Sequence, residues 1–377
     1  MTSITENQRC GVIAVVGAPN AGKSTLVNAL VGQKVAITSP KAQTTRTRVM
    51  GVAIEGNAQI VLVDTPGIFA PKRRLDRAMV QAAWGGAQGA DLIAMVVDGK
   101  AGRGPKLEPI IESLKHRSER KWLVLNKVDI AIKEKLLVHT EKLNETLGFD
   151  EIFFVSAATG DGLPELKAAF AAAMPEGPWH FPEDQVSDAT DRMLAAEITR
   201  EQLYHQLHAE LPYATAVDTE QYKERPDGSV EIHQQILVGR PTQRAIVLGK
   251  GGQRLKEIGS KAREELAALL GVKVHLYLHV KVKEDWEMIA ASIATSASTG
   301  WNNSPSLNGN SLFTFCRYAP VSWVRNGKSP AASSSRSSAQ WSSWRWSRRS
   351  PACSFRRAIS SSAYSAPAAC RRRSACY

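Results

Sequence analysis

Residues 17–24 constrain this chain more than any other segment. They match the pattern G-x-x-x-x-G-K-[ST] at every fixed position, and such a loop turns successive backbone N–H groups toward a phosphate. An apolar run at 12–16 precedes the loop and a helix-forming segment at 24–31 follows it, as a strand, a phosphate loop and a helix require. A glycine-rich turn that matches by chance is the alternative, and the flanking segments argue against it.

This loop supplies the first candidate ligands. Lys23 is expected to reach the β- and γ-phosphates of a nucleotide, and Ser24 is expected to bind Mg²⁺. The candidate phosphate-binding residues are Gly17, Ala18, Pro19, Asn20, Ala21, Gly22, Lys23, Ser24 and Thr25.

An acidic residue ends a second apolar run, at 60–63. Asp64 at the carboxyl end of this predicted strand is well placed to hold Mg²⁺, and the Gly67 N–H can reach a γ-phosphate. The predicted second switch region consists of Asp64, Thr65, Pro66 and Gly67.

A polar stretch without apolar periodicity lies between these motifs, at 38–46. We expect a mobile loop that becomes ordered when a threonine joins the Mg²⁺ shell in the presence of the γ-phosphate. Thr45 is preferred over Thr44 for that role, and a plain surface loop is the alternative. The predicted first switch region consists of Gln43, Thr44, Thr45, Arg46 and Thr47.

An Asn-Lys-x-Asp motif follows another apolar run and bears on the choice of base. The Asp129 carboxylate can accept two hydrogen bonds from guanine that adenine cannot donate. Asn126 is expected to brace the loop, and the stem of Lys127 is expected to lie along the base. Ser156 and Ala157 follow a further strand-like run and are expected to place a backbone N–H near guanine O6.

Two residues bear on the rate of hydrolysis. Ile68 follows the second switch region, where Ras-like GTPases carry a glutamine that orients the attacking water. Hydrolysis is therefore expected to be slow without another group or a partner. In related potassium-activated GTPases an asparagine at the place of Asn20 helps to bind K⁺, so K⁺ is a candidate cofactor. A residue that only shapes the loop is the alternative for Asn20.

The second half of the chain begins after a stretch rich in proline and glycine, at 175–187, which is predicted to be a linker. Asp188 is the predicted N-cap of a helix that runs to about Glu210. Two strands are predicted next, at 214–224 and 230–238, with a tight turn between them.

A Gly-Lys-Gly-Gly segment at 249–252 then fits the G-x-x-G loop with which a KH domain clamps single-stranded RNA. This motif is weak alone, but helix, strand and strand precede it, and a helix to about 270 and a strand at 272–282 follow. That order is typical of the prokaryotic KH fold, and a glycine-rich turn in an unrelated α+β domain is the alternative. The candidate RNA-binding residues are Gly249, Lys250, Gly251, Gly252, Arg254 and Lys256.

With these residues in view, the chain resembles the bacterial Era GTPases over about residues 11–286. The likeness extends beyond the nucleotide motifs to the segments at 43–46, 181–184, 210–213 and 279–286. It implies a GTPase that binds the 3′ end of 16S rRNA through its KH domain and assists maturation of the 30S subunit. It also implies peripheral association with the cytoplasmic membrane.

The expected fold is an α/β P-loop GTPase domain with a mostly parallel, doubly wound sheet, followed by an α+β type II KH domain. The expected divisions are an N-terminal extension at 1–10, the GTPase domain at 11–174, the linker at 175–187, the KH domain at 188–287 and a tail at 288–377.

The tail accounts for the whole net charge of +12. It contains 12 basic and no acidic residues, together with 23 serines, so the first 287 residues are neutral and RNA binding there must depend on local patches. The loss of every acid at one point, where the family likeness stops, indicates out-of-frame translation. Such a tail is expected to be disordered and prone to aggregation, and a genuine basic, aromatic RNA-binding arm is the alternative.

The remaining features set broad bounds. Cys10 is the one cysteine before the tail, so a reducing cytoplasm fits, and no apolar run approaches the ~20 residues of a membrane span. We expect a cytoplasmic monomer. Two other functions are alternatives to a GTPase that acts on 16S rRNA. One is an RNA-binding module whose nucleotide site is not catalytic, and the other is a GTPase of tRNA modification or membrane-linked regulation.

Overall fold

The computed structural model describes residues 7–41, 43–68, 74–87, 89–284, 286 and 288. Apart from Met288, the predicted tail lies outside these residues, as does most of the predicted N-terminal extension. Among the helices of the described part, none is long and apolar enough to cross a membrane.

The first half forms a six-stranded sheet in the order β2-β3-β1-β4-β5-β6. Only β2 runs antiparallel to its neighbour, so the carboxyl ends of the parallel strands meet at one edge, where ligands of such sheets bind. The strands are β1 (Arg9–Gly17), β2 (Val49–Glu55), β3 (Ala58–Asp64), β4 (Leu92–Asp98), β5 (Arg120–Asn126) and β6 (Glu151–Phe154). The helices are α1 (Lys23–Val31), α2 (Arg74–Ala87), α3 (Glu108–Lys115), α4 (Lys133–Leu147) and α5 (Leu163–Ala173).

Both faces of this sheet are buried, which explains the continuous apolar runs in its strands. Along β1, Val12, Ala14 and Val16 belong to one core cluster, whereas Ile13 and Val15 belong to another on the opposite face. The prediction of a mostly parallel, doubly wound sheet is confirmed.

The second half contains a three-stranded sheet in the order β7-β8-β9. β7 and β8 are antiparallel, whereas β8 and β9 are parallel. The elements are α6 (Asp191–Gln206), β7 (Thr215–Glu224), β8 (Val230–Val238), α7 (Pro241–Leu248), α8 (Gln253–Leu270) and β9 (Val274–Val282). This helix–strand–strand–helix–helix–strand order is the one predicted, and the α+β KH fold is confirmed.

The prediction that Asp188 caps α6 is wrong. Thr190 is the N-cap, and its side chain accepts a hydrogen bond from the Met193 N–H at 3.3 Å. The Asp188 carboxylate instead accepts the backbone N–H of Met50 at 2.9 Å, and burial raises the pKa of this carboxyl. The helix also ends at Gln206, before the predicted end near Glu210, because the chain becomes extended at the next residue.

The proline- and glycine-rich stretch before α6 lies along the first sheet. The fully buried Gln59 side chain accepts the N–H groups of His180 and Phe181 at 2.9 and 3.0 Å and donates to the Phe181 carbonyl at 2.8 Å. Further on, the Val52 N–H donates to the Val186 carbonyl at 2.8 Å. These bonds fasten the stretch to β2 and β3.

Candidate nucleotide site and RNA-binding loop

The loop between β1 and α1 holds a buried ammonium group. Lys23 is 6% exposed, and its Nζ donates to the carbonyls of Gly17 and Ala18 at 3.2 and 3.1 Å. Burial lowers the pKa of Lys23 to about 8, and the nearby Asp64 carboxylate offsets only part of that effect. A poorly solvated cation above a loop of backbone N–H groups suits a phosphate.

Glycine is required at one position of this loop. Gly22 has a φ of 90°, and a Cβ there would lie 2.3 Å from Asn126 Nδ2. L side chains rarely adopt that conformation, and a collision with a buried amide adds to the cost. The loop can therefore lie directly against Asn126 at the end of β5, where the base site is predicted.

Three predicted metal ligands converge at the start of α1. Ser24 Oγ donates to Asp64 Oδ2 at 2.6 Å and lies 2.9 Å from Thr45 Oγ1, which lies 3.4 Å from the same carboxylate oxygen. Asp64 is fully buried, and its Oδ1 has no hydrogen-bond partner among the described residues. Burial raises the pKa of Asp64. Two hydroxyls and a buried, incompletely paired carboxylate fit a hard cation such as Mg²⁺.

The structure distinguishes the two candidate threonines. Thr44 Oγ1 donates to the Lys41 carbonyl at 2.8 Å. Thr45 is the one that joins Ser24 and Asp64. Thr47 is buried.

The second switch region packs against the first strand. Thr65 Oγ1 donates to the Val15 carbonyl at 2.8 Å, and the Ile68 N–H donates to the Gly17 carbonyl at 3.2 Å. The Ile68 side chain is 2% exposed and belongs to the core of the first domain. Gly67 lies against Pro19, since a Cβ there would be 2.8 Å from the Pro19 Cα. Pro66 is buried.

A depression with an empty volume of ≈ 410 Å³ opens between these loops. It is lined by Pro19, Asn20, Gly22, Lys23, Ser24, Thr25, Ile37, Thr38, Ser39, Gln43, Thr44, Thr45 and Gly67.

Asn126 joins the three loops of the predicted base site. It is 1% exposed. Its Nδ2 donates to the Ala21 carbonyl at 3.0 Å, and its Oδ1 accepts the N–H groups of Lys127 at 2.8 Å and Ala157 at 3.0 Å. Of the two backbone amides from which one is expected near guanine O6, the Ala157 N–H thus has a protein acceptor in this structure. The Ser156 N–H donates to the Asp161 carbonyl.

Lys127 connects the same motif to the phosphate loop. Its Nζ donates to the Asn20 carbonyl at 2.7 Å and to Asp98 Oδ2 at 2.6 Å. Asp98 is the register partner of Asn126 on the neighbouring strand β4. Sequence reasoning missed this residue, although an acid at the carboxyl end of a buried strand was an available signal. Asp129 follows in a short 3₁₀ turn with its side chain exposed.

Asn20 bridges two loops. Its φ is 66°, and its Nδ2 donates to the Pro40 carbonyl at 3.0 Å. This contact agrees with the interpretation of Asn20 as a residue that shapes the loop.

The Gly-Lys-Gly-Gly loop joins α7 to α8 through a short 3₁₀ turn. Gly249 packs closely, since a Cβ there would lie 2.8 Å from the Arg254 Cβ. Gly251 and Gly252 have φ values of 59° and 78°, and a Cβ at either would meet nothing within 4 Å. The Lys250 and Lys256 side chains are exposed, whereas the Arg254 guanidinium donates to the Ile246 carbonyl at 2.9 Å. Open backbone and cations therefore occur together at the start of α8.

The described residues between α1 and β2 (32–41 and 43–48, hereafter the α1–β2 loop) also contact the second domain, through Arg46. This side chain is 6% exposed. Its Nη1 donates to the Thr215 carbonyl at 2.7 Å, and its Nη2 donates to the Tyr213 carbonyl at 3.2 Å and to Tyr204 Oη at 3.3 Å. Tyr204 Oη in turn donates to the Gln43 carbonyl at 3.2 Å.

Ile37 and Lys34 extend this contact. Ile37 is 3% exposed and lies in a core cluster otherwise formed by residues of the second domain. The Lys34 ammonium donates to the carboxylates of Glu201 in α6 and Glu265 in α8. Glu201 also accepts the Thr38 N–H at 2.8 Å. The α1–β2 loop is thus shared between the nucleotide site and the second domain, and sequence reasoning did not foresee it.

Comparisons with known proteins agree with this geometry. The family model described as a 50S ribosome-binding GTPase matches residues 12–127, and the KH domain model matches residues 210–287. The chain is 66% identical over 282 residues to the GTPase Era of Erythrobacter litoralis, covering 74% of this chain and 93% of that protein. It is 56% identical over 278 residues to the GTPase Era of Afipia carboxidovorans, covering 74% and 90%.

Two solved structures show the same two-domain fold. One is Era in complex with MgGDPNP and nucleotides 1506–1542 of 16S ribosomal RNA, and the other is a variant of Aquifex aeolicus Era bound to GDP.AlF4⁻. Each has a TM-score of 0.72, 38% identity, and coverage of 77% of this chain and 99% of that one. The chain belongs to the Era GTPase family, so its first domain binds and hydrolyses GTP and its second is a KH RNA-binding domain.

Proposed function

We propose that this GTPase binds the 3′ end of 16S rRNA through its KH domain, assists assembly and maturation of the 30S subunit, and uses GTP hydrolysis to time its contact with RNA. The observation that carries the proposal is the shared α1–β2 loop. Thr45 of this loop contacts the predicted metal ligands, whereas the adjacent Arg46 is bonded to the KH side. The likeness to an Era that was solved with a 16S rRNA fragment supports the choice of RNA.

Within the nucleotide site, we assign the phosphates to the loop from Gly17 to Thr25. The buried Lys23 ammonium supplies the positive charge, and the Gly67 N–H serves the γ-phosphate. Mg²⁺ would neutralise charge on the phosphate oxygens. Ser24, Thr45 and Asp64 are the residues that would hold it.

Guanine is assigned to the carboxylate of Asp129, which is exposed and so accessible to a base. Asn126 does not need to touch the base. It holds the phosphate loop, the Lys127 turn and the Ala157 segment together, and so positions Asp129 relative to the phosphates.

Slow hydrolysis follows from the position of Ile68. Its side chain is buried in the core of the first domain, so it neither orients a water molecule nor has a polar atom to do so. The proposed cycle therefore depends on a group from elsewhere, and we expect binding of the RNA or the ribosomal subunit to affect the rate.

Activation by K⁺ is a separate part of the proposal. Asn20 lies at the depression that the phosphates would occupy. Its Nδ2 donates to the Pro40 carbonyl, and its Oδ1 accepts no hydrogen bond from the described residues. Faster GTP turnover in K⁺ than in Na⁺ buffer would support this role, whereas equal rates in the two buffers would reject it.

The main test compares affinity for the 1506–1542 fragment in the presence of a non-hydrolysable GTP analogue and of GDP. We expect a difference of about fivefold or more, since allosteric coupling is commonly that strong. Equal affinities would reject the timing function.

Crosslinking to total cellular RNA tests the RNA partner separately. Enrichment of the 3′ end of 16S rRNA is expected, whereas enrichment of tRNA would favour a role in tRNA modification. Because the proposed partner is ribosomal, we place the protein in the cytoplasm, acting as a monomer on the 30S subunit.

A further inference from the structure

Trp286 lies in the first turn after β9, where its backbone N–H donates to the Lys283 carbonyl at 3.3 Å. The side chain is 4% exposed. It packs in a small cluster with Ala216 of β7 and Leu237 of β8. The indole is thus packed with residues of the KH sheet.

The same cluster contains a residue of the first domain. Met79 of α2 is 1% exposed and belongs to the same packed cluster as the indole and two residues of the KH sheet. α2 is the next helix after the second switch region, Asp64 to Gly67. A displacement of α2 would therefore change the packing around Trp286, because a close-packed core transmits small shifts.

The α1–β2 loop also approaches the indole, through Arg46. The Arg46 Cζ lies 5.9 Å from the centroid of the Trp286 ring and 5.9 Å from that of Tyr204. Within the described part of the chain, the hydrogen bonds of this guanidinium end at carbonyl and hydroxyl oxygens. Two aromatic rings therefore contribute to holding a buried cation that has no carboxylate partner among those bonds.

Space for the indole depends on a glycine. A Cβ at Gly239, which follows β8, would lie 3.2 Å from Trp286 Nε1. The ring thus lies close to the KH backbone at Gly239, and its other neighbours include Met79 and Arg46.

We propose that Trp286 is a positioning residue that transmits the nucleotide state of both switch regions to the KH domain. It shares a packed cluster with Met79, which lies in the helix after Gly67, and its ring lies beside Arg46, which follows Thr45. It acts through these neighbours and contacts neither nucleotide nor RNA. This inference rests on the proposed dependence of RNA binding on GTP.

The test uses the full chain with Trp286→Leu, and Trp286→Phe as the conservative variant that keeps an aromatic face. Val280→Ala serves as a control for general loosening, because Val280 is buried on β9 in a different core cluster of the KH domain. For each protein, affinity for the 1506–1542 rRNA fragment is measured with a GTP analogue and with GDP, together with the affinity for each nucleotide.

In the wild-type protein we expect the RNA affinities measured with the GTP analogue and with GDP to differ by about fivefold or more. This ratio should fall to about one in Trp286→Leu and be largely retained in Trp286→Phe and Val280→Ala. Nucleotide affinities should change by no more than about twofold in each variant. A Trp286→Leu protein that keeps the wild-type ratio would overturn the inference and leave the proposed function standing. Loss of the ratio in Val280→Ala as well would overturn it by showing a merely structural role. A wild-type ratio of one would overturn both proposals.

Discussion

Lys23 carries its charge where little water can solvate it, and this makes nucleotide binding dependent on pH. Its pKa is lowered to about 8 by burial, so the free protein loses the charge as pH rises through that value. A bound phosphate favours the charged form. Affinity for GDP should therefore fall about tenfold between pH 8 and pH 9.5, and binding at pH 9 should take up close to one proton.

Calorimetry at pH 9 in two buffers with different heats of ionisation measures that proton directly. Lys23→Arg is the comparison, since a guanidinium stays charged throughout this range. Equal proton uptake by the two proteins would show that another group titrates. Lys23→Ala should abolish nucleotide binding at every pH.

Gly22 and Gly32 form a matched pair at the residue scale. Both have left-handed backbone, with φ values of 90° and 87°, but a Cβ at Gly22 would collide with Asn126 whereas one at Gly32 would meet nothing within 4 Å. Gly22→Ala should therefore lower the free energy of unfolding by about 1–3 kcal/mol more than Gly32→Ala does. Urea unfolding measures the difference, and equal losses would mean that Asn126 moves aside at no cost.

At the scale of elements, the loop between α7 and α8 separates RNA binding from GTP hydrolysis. Gly251→Asp together with Gly252→Asp places two carboxylates where the open backbone is expected to meet the RNA phosphates. RNA affinity should fall by at least about tenfold, whereas basal GTP hydrolysis should be unchanged. Filter binding and phosphate release measure the two activities.

Gly228→Asp is the control for that loop. Gly228 also has a left-handed φ, of 77°, with nothing within 4 Å of a Cβ, but it lies in the turn between β7 and β8. This variant should keep its affinity for RNA. If the double variant also lost GTP hydrolysis, the separation of the two activities would be wrong.

Sequence reasoning succeeded for elements whose signal is local. The strand, glycine loop and helix that surround Lys23 are contiguous, and so are the two helices around Gly249. It failed at the start of α6, where Asp188 and Thr190 are both reasonable caps. The contact that decided between them, from Asp188 to the Met50 N–H, joins residues 138 positions apart.

At the scale of the whole molecule, the α1–β2 loop is a structural part of both domains. Ile37 is buried with α6 and the KH sheet, so Ile37→Ala should lower the free energy of unfolding by about 2–4 kcal/mol. Ile130→Ala is the control, because that side chain is 54% exposed and its loss should cost less than about 0.5 kcal/mol. Similar losses in the two variants would contradict the burial of Ile37.

The contacts between the domains could not be predicted from the chain. Arg46 lies in a polar stretch without periodicity, and its partner Thr215 is 169 positions away. The pattern therefore indicated a mobile loop, whereas tertiary contacts give this guanidinium several acceptors. Glu201 is similar: on a helix it suggests a solvent-facing charge, yet it is 2% exposed beside Lys34 and Thr38.

The bonds from Gln59 to His180 and Phe181 restrict where the two domains can pivot. A stretch rich in proline and glycine would ordinarily serve as the flexible hinge between two domains, but this one is hydrogen-bonded to the first domain as far as Asp188. The chain between Asp188 and the start of α6 is then the place where rotation costs least. Between the two domains, a protease that needs an extended, accessible substrate should cut there before it cuts the preceding stretch, and should do so faster in whichever nucleotide state releases the α1–β2 loop from the KH side.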